Sequence, residues 1–193
     1  SKGIQPNTSI YFVFSFLVGI GGFFYQNELT TLLYSEANDY WAQIFGLLIL
    51  GFIPISSVYV FGTLLTANGS LKQLNILAAS GVLLNVVLNI FLIENYLAKG
   101  AVIATLVTQG LVAVVHIILC LAIFKFKVNG KEISILSGFA ILIIAATYVC
   151  IYFDLNWKIE VIGLPLSTAV GLIVFRIFKK EDFKVFFSFH FLG

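Results

Sequence analysis

The chain has no methionine at any of its 193 positions, two cysteines, three prolines and only 10% charged residues. An ordinary soluble domain carries about 25% charge, so the scarcity of charge excludes that class. Cys120 and Cys150 both fall inside apolar runs and lack metal-ligand spacing, which argues against a disulfide framework and a metal site. The basic residues form no stripe, so no nucleic-acid partner is expected. A Ser–His–Asp set, a paired intramembrane carboxylate, a Gly-rich phosphate loop and a metal cluster are all missing, so neither bond-breaking catalysis nor a cofactor is expected. The first apolar run is preceded by Lys2 alone and followed by Gln26-Asn27-Glu28, which is no signal peptide. A beginning at Ser1, with methionine absent throughout, is expected of a chain that starts inside a longer protein.

What the sequence does contain is hydrophobic residues, 60% of the total. They lie in uncharged runs at 3–27, 40–71, 73–93, 100–124, 133–153 and 161–175. A bilayer core of roughly 30 Å is crossed by about 20 apolar residues in a helix. Six spans are therefore predicted: Ile10–Tyr25, Trp41–Leu65, Leu74–Ile93, Gly100–Phe124, Ile133–Phe153 and Ile159–Phe178. The fold class is an all-α integral membrane protein, with residues 1–180 as a six-helix transmembrane bundle and 181–193 as a cytoplasmic tail. That tail places Phe183, Phe186, Phe187 and His190 at helical spacing beside Lys184, as an interfacial helix would, although a frayed apolar tail is an equal reading.

Charge sets the orientation. Nine of the eleven Lys and Arg residues fall on one side when the segments between spans are taken alternately, leaving Lys99 and Lys158 on the other. Cytoplasmic segments are enriched in Lys and Arg, so both termini are expected inside. Asn68-Gly69-Ser70 marks a tight cytoplasmic turn, as does Asn129-Gly130-Lys131. Tyr34, Tyr40 and Trp41 form an outer aromatic cluster, and Trp157 closes a second outer turn. The semi-polar stretch Asn27–Asn38, with Leu29, Leu32 and Leu33 on one helical face, is expected at the outer surface instead of in a span.

Polar groups inside the spans are the candidate functional residues, since lipid offers them no partner. Ala78, Gly81, Asn85 and Asn89 form one stripe on the third span. Ala101, Thr105, Gln109, Ala113, His116 and Cys120 form another on the fourth. Both readings stay open for Asn85, Asn89, Thr105, Gln109 and His116: bonds between helices, or the lining of a cavity for a polar substrate. His116 lies about 12 Å from the cytoplasmic end at 1.5 Å per residue. Its imidazole is expected to bond a neighbouring helix, with proton coupling or contact with an anionic substrate as the alternative. Pro54 removes the backbone hydrogen bond to the Leu50 carbonyl and should kink the second span, which makes it a hinge candidate. Pro165 reads as a simple kink.

Residues Gly62-Thr63-Leu64-Leu65-Thr66-Ala67-Asn68-Gly69, the Lys72 turn, Asn85 and Asn89, and Gly100-Ala101-Val102-Ile103-Ala104-Thr105 form a pattern together, preceded by Leu33-Tyr34-Ser35-Glu36 near the outer surface. The pattern resembles the C-terminal half of polysaccharide (O-antigen type) flippases of the multidrug/oligosaccharidyl-lipid/polysaccharide exporter superfamily. It covers about residues 9–124, and the last two spans only by count and position. The resemblance implies the last six helices of a two-lobed protein of roughly 12 to 14 helices, lodged in the bilayer of the bacterial inner membrane. It implies as substrate an undecaprenyl-pyrophosphate-linked oligosaccharide for surface polysaccharide (lipopolysaccharide O-antigen) synthesis, and as partner the missing N-terminal lobe. Cations that would hold the pyrophosphate are expected in that lobe, because this chain supplies almost none at membrane depth. Two alternatives remain: a drug or metabolite exporter of the same superfamily, and a self-contained six-helix membrane protein without transport activity.

Overall fold

The computed structural model describes residues 6–36, 38–125, 130–153 and 157. Helix covers 92% of them, and there is no strand among the described residues. The elements are α1 (Pro6–Phe24), α2 (Gln26–Leu33), α3 (Asp39–Leu50), α4 (Phe52–Ala67), α5 (Leu71–Phe124) and α6 (Gly130–Tyr152). Two stretches are long and apolar enough to cross a membrane, Asp39–Ala67 and Leu71–Phe124. The expected span Ile159–Phe178, Pro165, the cytoplasmic tail and the turn before Trp157 lie outside the described residues.

The chain forms two compact units, Val18–Lys127 and a second made of Ser1–Leu17 with Val128–Gly193. In the second unit, Phe139, Ile143 and Thr147 of α6 are fully buried at steps of four, one face of a helix. Ser15 and Thr147 are fully buried. Each hydroxyl donates to its own helix, Ser15 to Phe12 O at 2.9 Å and Thr147 to Ile143 O at 2.9 Å. That is how a hydroxyl survives in apolar surroundings.

In the Val18–Lys127 unit, α3 starts on a proper cap: Asn38 Oδ1 accepts from Trp41 N at 3.1 Å, and Asp39 sits in the positive first turn. The expected span Trp41–Leu65 lies within the apolar stretch Asp39–Ala67, which is built of α3 and α4. Their junction falls at Gly51, whose N–H is shared between Leu47 O at 3.3 Å and Leu48 O at 3.0 Å before Ile55 N picks up Gly51 O at 3.1 Å. Pro54 lies in the first turn of α4, where a missing N–H is tolerated. Gly51 keeps right-handed helical angles, φ −58° and ψ −18°, so α3 and α4 continue one another with only a slight interruption.

Asn68-Gly69-Ser70 closes α4 as a Schellman turn. Ser70 N bonds Leu65 O at 3.0 Å, Gly69 N bonds Thr66 O at 2.9 Å, and Gly69 has φ +77°. The 54-residue α5 is two helical legs joined at Leu97, which has φ 53° and ψ −134°. Thr108 bonds Asn85, Val112 abuts Gly81 and Gly100 abuts Leu92, so the legs run antiparallel as a hairpin. This matches the expected third and fourth helices and the short connection holding Lys99. The semi-polar stretch after α1 is partly the separate short helix α2, with Leu32 and Leu33 exposed and Thr30 buried.

Candidate functional site

Three groups of polar side chains are buried or grooved within the long apolar helices. The first is a relay across the α5 hairpin. Asn89 Nδ2 donates to Asn85 Oδ1 at 2.9 Å, and Asn85 Nδ2 donates to Thr108 Oγ1 at 3.4 Å. The relay crosses from one leg to the other and ends on a deficit, since Asn89 Oδ1 is buried with no hydrogen-bond partner. A buried acceptor left open costs about 1–3 kcal/mol, so it is a place where a further donor would be stabilising.

Thr105 and Gln109, paired with these asparagines in the sequence reading, stand apart. Thr105 is exposed and donates to Ala101 O at 3.0 Å on its own leg, and Gln109 is half-buried. The buried line of this leg is Gly100, Ala104, Thr108, Ala113, His116 and Cys120. Its first half meets the other leg of the hairpin and its second half meets α4, so the contact face turns along the helix. The sequence stripe steps back by three from His116 to Ala113 and then by four to Gln109, Thr105 and Ala101, which lie beside that face instead of on it.

The second group is the contact of α5 with α4. His116 is buried, and its Nδ1 lies 2.8 Å from Val112 O. A carbonyl only accepts, so Nδ1 carries a proton in this contact. The ring thus bonds its own helix, not the neighbouring one as expected. Its Nε2 faces Gly62, where a Cβ would sit 3.5 Å from it. One turn on, Cys120 Sγ donates to Phe61 O at 3.5 Å, and Phe61 and Leu65 are buried on the same face of α4. Among the described residues no three His, Cys, Asp or Glu side chains come together as a metal site.

The third group lies on α4 beside that face and shares Gly62 with it. An open groove of about 490 Å³ is lined by Val58, Tyr59, Gly62, Thr63, Thr66 and Ala67. No lining residue is charged. Thr63 and Thr66 donate to Tyr59 O at 2.7 Å and Gly62 O at 2.8 Å, which leaves their oxygen lone pairs available as acceptors. Tyr59 is 70% exposed and adds a ring and a phenol. Sequence reasoning missed this groove, although Tyr59, Thr63 and Thr66 at steps of four and three are a visible helical stripe. Together the three groups offer amides, hydroxyls and an imidazole but no fixed charge, a chemistry suited to hydrogen-bonding a neutral polar ligand.

The chain matches no family model, no curated protein and no solved structure.

Proposed function

We propose that this chain is part of a multi-pass transporter of the bacterial inner membrane that moves a lipid-linked oligosaccharide from the cytoplasmic to the outer leaflet. In this reading six helices cross the bilayer with both termini inside: α1, α3 with α4, the two legs of α5, α6, and the segment Ile159–Phe178. Each leg of α5 has more than the roughly 20 residues a crossing takes. The observation that carries the substrate class is the uncharged polar lining. Tyr59, Thr63 and Thr66 line a groove without any ionised group, within a helix whose other polar side chains are Ser56 and Ser57 alone. Lipid solvates such groups poorly, whereas a chain of sugar hydroxyls offers both donors and acceptors. A cationic drug would call for acidic side chains at that depth, and these helices carry none. The pyrophosphate end calls for cations, which this reading assigns to another lobe of the same protein.

The test is made on the full-length protein in cells that depend on it for surface polysaccharide. Replacing Tyr59 by Leu and both Thr63 and Thr66 by Val removes every hydroxyl from the groove. The expected result is normal membrane insertion with surface polysaccharide reduced about tenfold, and lipid-linked oligosaccharide accumulating on the cytoplasmic leaflet. Full export by the triple variant would overturn the groove as the path. Intact polysaccharide after deletion of the whole gene would overturn the substrate.

A further inference from the structure

His116 of α5 is only 6% exposed, yet half of its hydrogen-bonding capacity is unused. Nδ1 gives its proton to Val112 O, 2.8 Å away on the same helix. In the neutral ring the other nitrogen, Nε2, then holds the lone pair and can only accept. No donor reaches it among the described residues. The polar side-chain atoms that are sealed without a partner are the Tyr25 hydroxyl, Gln26 Oε1 and Asn89 Oδ1. Nε2 is not one of these, so a narrow opening leads to it.

Gly62 marks where that opening lies. A Cβ built there would meet no neighbouring atom within 4 Å except the imidazole, Nε2 at 3.5 Å and Cδ2 at 3.6 Å. Gly62 also lines the α4 groove, beside Tyr59, Thr63 and Thr66. Any side chain at position 62 would stand between the groove and the edge of the ring, and glycine leaves that path clear. Cys120, one turn along α5, is turned to Phe61 O and does not compete for the nitrogen.

The polar groups around this opening share one character. Thr63 and Thr66 spend their hydroxyl protons on Tyr59 O and Gly62 O, so towards a ligand they accept. With Nε2 they make three acceptors, against the Tyr59 phenol as the group able to donate. Such a site suits a ligand that arrives with O–H groups. A ligand with acceptors alone leaves these atoms unpaired, which costs it affinity. We infer that His116 is a specificity-determining acceptor of the α4 groove, taking a hydrogen bond across Gly62 from a hydroxyl of a sugar bound there. This rests on the reading of the groove as an oligosaccharide site and adds to it a buried recognition point on a second helix. The groove occupies the C-terminal turns of α4, next to the Asn68-Gly69-Ser70 turn, so a water-soluble sugar reaches it from that end.

The experiment reads chemical access to the ring, not transport. The full-length protein in lipid nanodiscs is treated with diethylpyrocarbonate, which acylates an imidazole nitrogen bearing a lone pair. Mass spectrometry of the peptide holding His116 follows the reaction. His116 should be modified in the wild type. Gly62→Ala places a methyl in ordinary contact with Nε2, so it should slow the reaction about fivefold while melting no lower than wild type. Maltotriose at about one to four times its Kd should slow the wild-type reaction about two- to fivefold. Glycine betaine, which has acceptors but no donor, should leave the rate unchanged. An unmodified His116 in the wild type, or equal rates in wild type and Gly62→Ala, would overturn the opening over Gly62. Equal rates with and without maltotriose, or equal shielding by betaine, would overturn the hydroxyl contact. The outcome is separable from that of the transport reading. If export survives loss of the Tyr59, Thr63 and Thr66 hydroxyls while maltotriose still shields His116, transport along the groove falls and the sugar site stands. Lost export with an unshielded His116 removes this contact and leaves the transport reading in place.

Discussion

Gly100 is the residue at which the hairpin of α5 is least able to accept a side chain. A Cβ there would overlap the carbonyl of Leu92, with the Leu92 carbon at 2.5 Å and Ile93 N at 3.0 Å. All the atoms it meets are backbone, so no rotamer change relieves the clash. The two legs would have to separate next to Leu97, the residue that already carries the bend. Overpacking of this kind costs about 1–3 kcal/mol. In Gly100→Ala a gain of up to about 1 kcal/mol in helix propensity partly offsets that cost. Gly110 on the same leg is the control, since a Cβ there meets nothing within 4 Å and keeps the propensity gain alone. Thermal unfolding of the purified full-length protein, followed by the loss of monodisperse elution after heating, measures both. Taking about 2–3 kcal/mol for a clash that meets only backbone and about 1 kcal/mol for the propensity gain leaves a net cost of about 1–2 kcal/mol. At about 2–4 °C for each kcal/mol in a unit of this size, Gly100→Ala should fall by about 2–8 °C and Gly110→Ala should hold or rise by up to about 4 °C. Equal stability of the two variants would refute the close approach of the legs.

Two further changes test the same hairpin. Asn85→Leu removes the centre of the relay and strands Asn89, and should cost about 1 kcal/mol; Asn85→Leu with Asn89→Leu should recover part of the loss, because no buried amide is then left unpaired. A double variant less stable than the single in the same melting assay would contradict that. Leu97→Gly replaces a side chain at φ 53° with the residue that occupies that region freely, and should raise stability by about 1 kcal/mol in thermal melts.

Much of this arrangement was legible in the residues. Charge marks the short connection within α5, where Glu94 and Lys99 flank the bend at Leu97. Asn68-Gly69-Ser70 reads as a turn and forms one, since a Schellman cap needs a residue tolerant of positive φ and glycine supplies it. Pro54 announces a missing hydrogen bond at Leu50, and the slight interruption between α3 and α4 falls within one turn of it, at Gly51. The faces were harder. Thr108, not Thr105, meets Asn85, because the leg turns from one neighbour to another along its length, and periodicity alone does not say which neighbour a residue meets. The α4 groove was missed for a related reason: Tyr59, Thr63 and Thr66 are ordinary helix residues until the neighbouring face is seen to be the one buried. The relay's open end at Asn89 is a matter of one atom's surroundings, which no pattern of residue types reports.

The central claim is that this chain crosses a membrane six times with both termini inside, and cysteine labelling in intact cells tests it most directly. Single cysteines at Glu36, Lys72, Glu94 and Lys127 of the full-length protein, in a background lacking Cys120 and Cys150, would be probed with a membrane-impermeant maleimide. Glu36→Cys and Glu94→Cys should react from outside, while Lys72→Cys and Lys127→Cys should react only after the membrane is opened. Labelling of all four from one side would contradict the account.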